Sequence, residues 1–248
     1  MYYDYQYYVD SRDTDPFGQC RPSAVLGFLQ EAATEAAMAL RVSREEMLER
    51  HNAFWMLARI WYRLDRPISW NETVAVRTWH RGGKGASMYR DFDLTVGGAP
   101  AGEAVSVWVL ADRESHKPLR LSRLDEFQGT DGGELCKERM LTRLRLPEEM
   151  EKAEERRLWY SDADVNRHVN NSKYADFACD ALHLERLGEG SFVSSLQVGF
   201  QAECRPGEVL RLRTGRSDGV WYVQGTDGQE SARFDAALTL SELPGSGS

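Results

Sequence analysis

Residues 160–174 read Tyr160-Ser161-Asp162-Ala163-Asp164-Val165-Asn166-Arg167-His168-Val169-Asn170-Asn171-Ser172-Lys173-Tyr174. The run is polar up to the asparagine pair and then turns helical, because Tyr174, Phe177, Ala178 and Leu182 share one face at three- and four-residue spacing. It predicts a turn over 161–169 and a helix from about Asn170 to Arg186, with Asn170 or Asn171 suited to accept the first free backbone N–H groups. Upstream, Arg157 to Tyr160 reads as a short strand. Downstream, 192–202, 208–214, 220–226 and 232–240 read as strands, with Asp218-Gly219 and Asp227-Gly228 as tight hairpin turns.

The first half of the chain runs in the same order. Tyr2 to Val9 is aromatic and strand-like, and a polar turn, Asp10 to Arg21, follows it. Ser23 to Leu40 is helical, with Val25, Leu29, Ala32, Ala36 and Leu40 on one face and Pro22 at the start, where a missing N–H costs little. A charged helical piece spans roughly Ser43 to His51. Strand patterns then cover 54–64, 73–79, 91–96 and 104–110, punctuated by Pro67, Gly82-Gly83 and Gly97-Gly98. Individual residues repeat as well. Asp13-Thr14-Asp15 aligns with Asp162-Ala163-Asp164, and Trp70-Asn71-Glu72-Thr73-Val74 aligns with Pro206-Gly207-Glu208-Val209-Leu210.

A duplicated unit of one helix and several antiparallel strands is an α+β architecture. Each helix is expected on the concave face of its sheet. Two such units joined edge to edge make one continuous sheet and give each an otherwise exposed edge a partner. The expected division is an N-terminal unit over 1–121, a charged and partly helical connection over 122–156, a C-terminal unit over 157–242 and a flexible tail over 243–248.

Composition narrows the function. The chain has 248 residues and a formal net charge of −8, from 31 basic and 39 acidic residues. That balance argues against a nucleic-acid binder, which carries a basic surface. Cys20, Cys136, Cys179 and Cys204 form no CxxC pair and lack the spacing of a zinc site, so they read as reduced thiols in a reducing compartment. Met1 to Asp10 lacks the basic and apolar regions of a secretory signal, and no stretch approaches the ~20 apolar residues of a membrane span. The expectation is a cytoplasmic protein.

The turn over 161–169 also carries chemistry. Helix N-termini present unpaired N–H groups and a positive dipole end, so a carbonyl placed there would have a developing oxyanion stabilised. Asp164 offers a carboxylate, His168 an imidazole and Asn166 an amide. Capping turns favour Asp and Asn for local reasons too. The internal repeat separates the two roles. The equivalent first-half turn, Asp15-Pro16-Phe17-Gly18-Gln19, keeps the Asp but has Phe17 for Asn166 and Gln19 for His168, while Glu203 falls opposite Pro67. One half is equipped for chemistry, and the other reads as scaffold and pocket wall.

The run Asp164-Val165-Asn166-Arg167-His168-Val169-Asn170-Asn171-x-x-Tyr174 closely resembles the active-site motif of the acyl-acyl-carrier-protein thioesterases of plants and bacteria. Glu203-Cys204-Arg205 is similar to their second motif, and Ser106-Val107-Trp108-Val109-Leu110 is also similar to the family. The resemblance covers nearly the whole chain and implies a tandem pair of hotdog units, a double hotdog. It implies a hydrolase of fatty acid biosynthesis that cleaves fatty acyl-acyl carrier protein to free fatty acid and the carrier thiol, without metal or organic cofactor. It matches Asp164, Asn166, His168 and Glu203 to catalytic positions and Cys204 to a cysteine once taken as a papain-like nucleophile. Two carboxylates beside the site point to water activation instead and leave Cys204 an accessory. Whether Asp164 is the general base for a water or a nucleophile that forms a transient anhydride is open. The backbone around Asn170 and Asn171 would hold the oxyanion. Phe54, Trp55, Met56 and Trp61 are the candidate walls of the acyl slot. An acidic carrier protein calls for a local basic face, for which Arg113, Lys117, Arg120 and Arg123, then Arg143 and Arg145, then Arg156 and Arg157 are the candidates. Other readings are an acyl-CoA thioesterase on the same fold and a non-catalytic acyl-binding module. Acyl length, saturation and a homodimeric state are not fixed by the sequence.

Overall fold

The computed structural model describes residues 1–121, 126, 140–187 and 190–243. Cys136, Arg123, much of the expected connection and nearly all of the expected tail lie outside them. Ten strands form one antiparallel sheet: β1 (Tyr3–Tyr8), β2 (Ala53–Leu64), β3 (Thr73–Lys84), β4 (Ser87–Val96), β5 (Ala99–Asp112), β6 (Glu151–Arg157), β7 (Ser191–Phe200), β8 (Val209–Ser217), β9 (Val220–Thr226) and β10 (Ala232–Glu242). Their spatial order is β1-β3-β4-β5-β2-β7-β10-β9-β8-β6. Read outward from the centre, β2-β5-β4-β3-β1 and β7-β10-β9-β8-β6 are the same arrangement, so the duplication in sequence is a duplication in space. The halves join where β2 pairs with β7, from Arg59↔Gly199 to Arg63↔Ser195.

Helix α1 (Pro22–Ala39) covers the inner face of the first half, followed by the shorter α2 (Arg44–His51); α3 (Lys173–Ala181) covers the second half, followed by the one-turn α4 (Leu184–Leu187). Leu26 and Leu29 of α1, Phe177 and Ala178 of α3, Ile60 and Tyr62 of β2, and Leu196 and Val198 of β7 belong to one buried cluster. Fully burying an apolar side chain of this size contributes about 1.5–3 kcal/mol, so the shared core binds the halves more firmly than the backbone pairing alone. This is the expected double hotdog.

Three elements differ from the sequence expectation. The charged run before Arg157 is not part of a helical connection: Glu151–Arg157 is an edge strand paired with β8. Its Glu, Lys and Arg side chains defeat apolar pattern reading, yet charge is what protects an edge strand from pairing with another chain. The strand expected at 157–160 therefore ends at Arg157, and a short 3₁₀ turn, Tyr160–Asp162, follows. The helix expected over 170–186 is interrupted after Ala181, where His183 takes a left-handed φ of 52°.

The backbone confirms which residues are equivalent. The Cys20 N–H donates to the Ile68 carbonyl at 2.7 Å, and the Val169 N–H donates to the Cys204 carbonyl at 2.8 Å. The Arg21 N–H reaches Asp13 O at 2.8 Å, and the Asn170 N–H reaches Asp162 O at 2.9 Å. Gly18 (φ 76°) and Arg167 (φ 67°) occupy the same left-handed turn position.

Candidate active site

The turn that carries Asp164 is built by its own side chains. Asp164 Oδ1 accepts the Asn166 N–H at 2.8 Å, and its carbonyl accepts the Arg167 N–H at 3.0 Å. The Asp164 N–H donates to His168 O at 3.0 Å, closing the loop. One step upstream, the buried Asp162 carboxylate accepts the Trp159 N–H at 2.8 Å. These short-range bonds fix the turn, which leaves Asp164, Asn166 and His168 partly buried and Val165 96% exposed.

The second segment leaves the end of β7. Arg233 O accepts the Gln201 N–H, Arg233 Nη1 donates to Glu203 O at 3.0 Å, and Cys204 O accepts the Val169 N–H. The chain on both sides of Glu203 is thus tied to β10 and to the Asp164 turn. The Glu203 side chain meets His168, with Nε2–Oε2 at 3.4 Å. Both groups remain partly exposed, so the contact orients the pair more than it stabilises the fold.

Asp164, Asn166, His168 and Glu203 all line one cavity of about 1330 Å³. Asn170, Asn171 and Tyr174 line the same end. Helix α3 begins at Lys173, and Asn170 Oδ1 accepts both the Ser172 N–H and its hydroxyl at 2.9 Å, so Asn170 braces the helix start. Asn170, Asn171 and Tyr174, which flank the start of α3, thus line the same cavity as the two acids. Phe54, Trp55 and Met56 line the cavity as well. Trp61 does not. It lies on the opposite face of the sheet with Val105, Val107 and Leu141, and its Nε1 donates to Ser195 Oγ at 3.0 Å. A bulge in β2 between Leu57 and Arg59 leaves Ile60 and Tyr62 facing the helices and turns Trp61 away.

Cys204 is fully buried and is not on the cavity wall. Burial raises its thiol pKa, against a partly offsetting hydrogen bond from the Tyr174 phenol. A protonated, enclosed thiol is a poor nucleophile. Cys204→Ala is expected to keep most of the activity, in contrast to the ~10²–10⁴-fold loss that removing a proton-transfer group brings; steady-state hydrolysis rates and resistance to iodoacetamide check this.

Residues that sequence reading passed over also line the cavity, among them Arg90 and Met88, as does Arg205 of the second motif. For Arg90 a signal was present: it interrupts the inward-facing apolar alternation that continues with Phe92 and Leu94.

The chain resembles known proteins over both halves. Residues 1–127 match the family model of the acyl-ACP thioesterase N-terminal domain, and residues 147–242 match that of the C-terminal domain. It is 27% identical over 206 residues to the chloroplastic acyl-[acyl-carrier-protein] hydrolase FATB2 of Cuphea viscosissima, covering 77% of this chain and 49% of that one. It is 29% identical over 180 residues to the chloroplastic palmitoyl-acyl carrier protein thioesterase of Gossypium hirsutum, covering 67% and 42%. The chain spans about half the length of these plant relatives. Among solved structures, an acyl-ACP thioesterase from Bacteroides thetaiotaomicron superimposes with a TM-score of 0.82 at 20% identity, over 97% of this chain and 98% of that one. The 12:0-ACP thioesterase from Umbellularia californica gives 0.81 at 21% identity, over 97% of each. The two halves of the sheet carry the two domain models in order, and the chain belongs to the acyl-ACP thioesterase family.

Proposed function

We propose that the chain hydrolyses the thioester of fatty acyl-acyl carrier protein, releasing free fatty acid and the carrier thiol. The observation that carries this reading is the convergence of Asp164, His168 and Glu203 at one end of a cavity with aromatic and apolar walls. That volume exceeds the ~300–1,000 Å³ of ordinary small-ligand pockets and leaves room for a long acyl chain. In this reading the thioester carbonyl sits near the start of α3, whose positive dipole end stabilises the oxyanion; the Asn170, Ser172 and Lys173 N–H groups are already given to Asp162 O, Asn170 Oδ1 and Asn170 O. Glu203, held by His168, positions the attacking water. Asp164 takes its proton as general base. Among the described residues only its Oδ1 is engaged, by the Asn166 N–H, and the other oxygen serves the reaction. The water oxygen bonds to the carbonyl carbon, the C–S bond breaks, and the thiolate leaves and is protonated. Asn166 orients Asp164 through its backbone. The free thiols of Cys20, Cys179 and Cys204 suit a reducing compartment such as the cytoplasm.

The test is a hydrolysis panel from octanoyl to hexadecanoyl, offered both as acyl carrier protein and as CoA thioesters. Turnover of the carrier substrates with higher kcat/KM supports the proposal. Preference for CoA would move it to the acyl-CoA reading, and tight binding without turnover would sink it.

The surroundings of the basic clusters favour the first of them as the carrier-docking face. Arg113 lines the cavity, and Lys117 and Arg120 follow on the same exposed segment, anchored where the Asp112 N–H meets Lys117 O at 3.0 Å. Arg156 is committed to Asp180 at 2.6 Å and lies over the Phe177 ring, and Arg157 stacks on Trp159. Charge reversal at Lys117 and Arg120 is expected to raise KM for acyl carrier protein substrates several-fold, more at low salt because exposed charges are screened within ~10 Å at 0.1 M. Rates on short synthetic thioesters, measured in parallel, should not move.

A further inference from the structure

The cavity continues from the His168–Glu203 end under α1 onto the inner face of the first half-sheet. The inner-face residues of β4 are Met88, Arg90, Phe92 and Leu94, and Arg90 is the one charge among them. It is 4% exposed and lines the cavity. From Phe200 on β7 the wall crosses β2 and β5 to reach β4, about three interstrand spacings or roughly 14 Å. Arg90 therefore stands well away from the reacting groups, at acyl-chain distance.

This guanidinium is poorly matched by the protein. Among the described residues its one hydrogen bond is from Nη1 to Thr78 Oγ1 at 3.3 Å. The adjacent carboxylate, Asp91, is held by Arg81 at 2.7 Å. The remaining neighbours that act on its charge are the Tyr3 and Tyr5 rings of β1. Burial lowers its pKa to about 10, which leaves it charged at neutral pH. A guanidinium carries five N–H donors, and a buried charge without acceptors is costly. The second half solves the same position differently. The pairs His80↔Arg90 and Arg216↔Trp221 are equivalent, and there the indole of Trp221 packs on the core. One copy closes the space with an aromatic ring, and the other keeps it open with a cation on its wall.

We propose that Arg90 is a specificity-determining residue at the far end of the acyl channel, selecting acyl chains that carry an oxygen acceptor, hydroxyl or carboxylate, at their distal end. The proposal rests on the hydrolase reading above and deepens it. A plain alkyl end that reaches Arg90 displaces water from its N–H groups and returns no acceptor. A distal oxygen accepts from them, and shorter alkyl chains stop before the cation and are unaffected.

The test pairs each straight-chain thioester from octanoyl to hexadecanoyl with its ω-hydroxy and ω-carboxy counterpart. At the length that reaches Arg90, the wild-type protein should prefer the oxygenated chain by about tenfold or more in kcat/KM, the scale of one hydrogen bond to a charged group, with the difference in KM. Arg90→Met should reverse that preference, and Arg90→Lys should restore part of it. Calorimetric binding of dodecanedioic against dodecanoic acid gives a readout independent of turnover, and Arg90→Gln replaces Arg90→Met if the latter does not fold. Hydrolysis of every thioester with no oxygen preference, or a preference that survives loss of the guanidinium, overturns the assignment to Arg90 and leaves the hydrolase reading standing. Absence of all hydrolysis overturns the hydrolase reading, and the diacid preference in calorimetry then decides the role of Arg90 alone.

Discussion

Asp164→Asn is expected to lower kcat by about 10²–10⁴-fold, the range that proton transfer by one positioned group supplies, while the protein keeps its fold. The substitution isolates chemistry from structure because an asparagine side chain still offers the carbonyl oxygen that accepts the Asn166 N–H at 2.8 Å. The turn, and with it the positions of His168 and the α3 start, is then preserved. What is lost is the carboxylate oxygen that receives the proton. Glu203→Gln should also lower kcat, since Gln can still meet His168 but lacks the carboxylate charge that holds the attacking water. If Asp164 and Glu203 act on one water, the double variant should lose far less than the product of the two single losses, because groups that act as a unit are not additive. Full turnover by the double variant, with an unchanged melting curve, would remove the catalytic assignment.

Phe234→Ala is expected to destabilise the protein by about 3–5 kcal/mol, a large part of the ~5–15 kcal/mol that holds a domain together. Phe234 is fully buried on β10, its ring covers Gly225 on the neighbouring strand, and it meets the Tyr174 ring at 5.0 Å. Tyr174 in turn touches the Phe200 ring at 5.5 Å and hydrogen-bonds Cys204. A cavity here therefore opens beneath the first turn of α3 and beside the segment that carries Glu203. For a chain of this size the melting temperature should drop on the order of 6–20 °C, and kcat should fall as well, because the α3 start and the Glu203 segment lose their backing. A melting temperature within a degree or two of wild type would show that the aromatic cluster does not support the site.

Much of this was legible in the chain. The candidate site turn is local: Asp164, Asn166 and His168 alternate within five residues, and the bonds that arrange them span two to four positions. The repeat between Asp13-Thr14-Asp15 and Asp162-Ala163-Asp164 gave the double architecture before any coordinate. Failures came where a long-range partner overrides the local pattern. Glu151–Arg157 carries no apolar alternation and is a strand because β8 offers it an edge. Trp61 has the composition of a pocket wall, but a bulge in β2 sends it to the other face. Cys204 follows Glu203 in sequence, yet alternation places it in the core, where burial raises its thiol pKa.

Sequence by itself determined the locally patterned elements, their duplication and which half bears the acids, because periodicity, capping and turn chemistry act between near neighbours. Tertiary structure alone decided that Glu203 meets His168 across 35 positions of chain, that the two halves share one cavity, and that a buried cation, Arg90, lines it. Those outcomes depend on sheet register and bulges. A shift of one residue there exchanges the inner face for the outer one, and no short window of sequence records it.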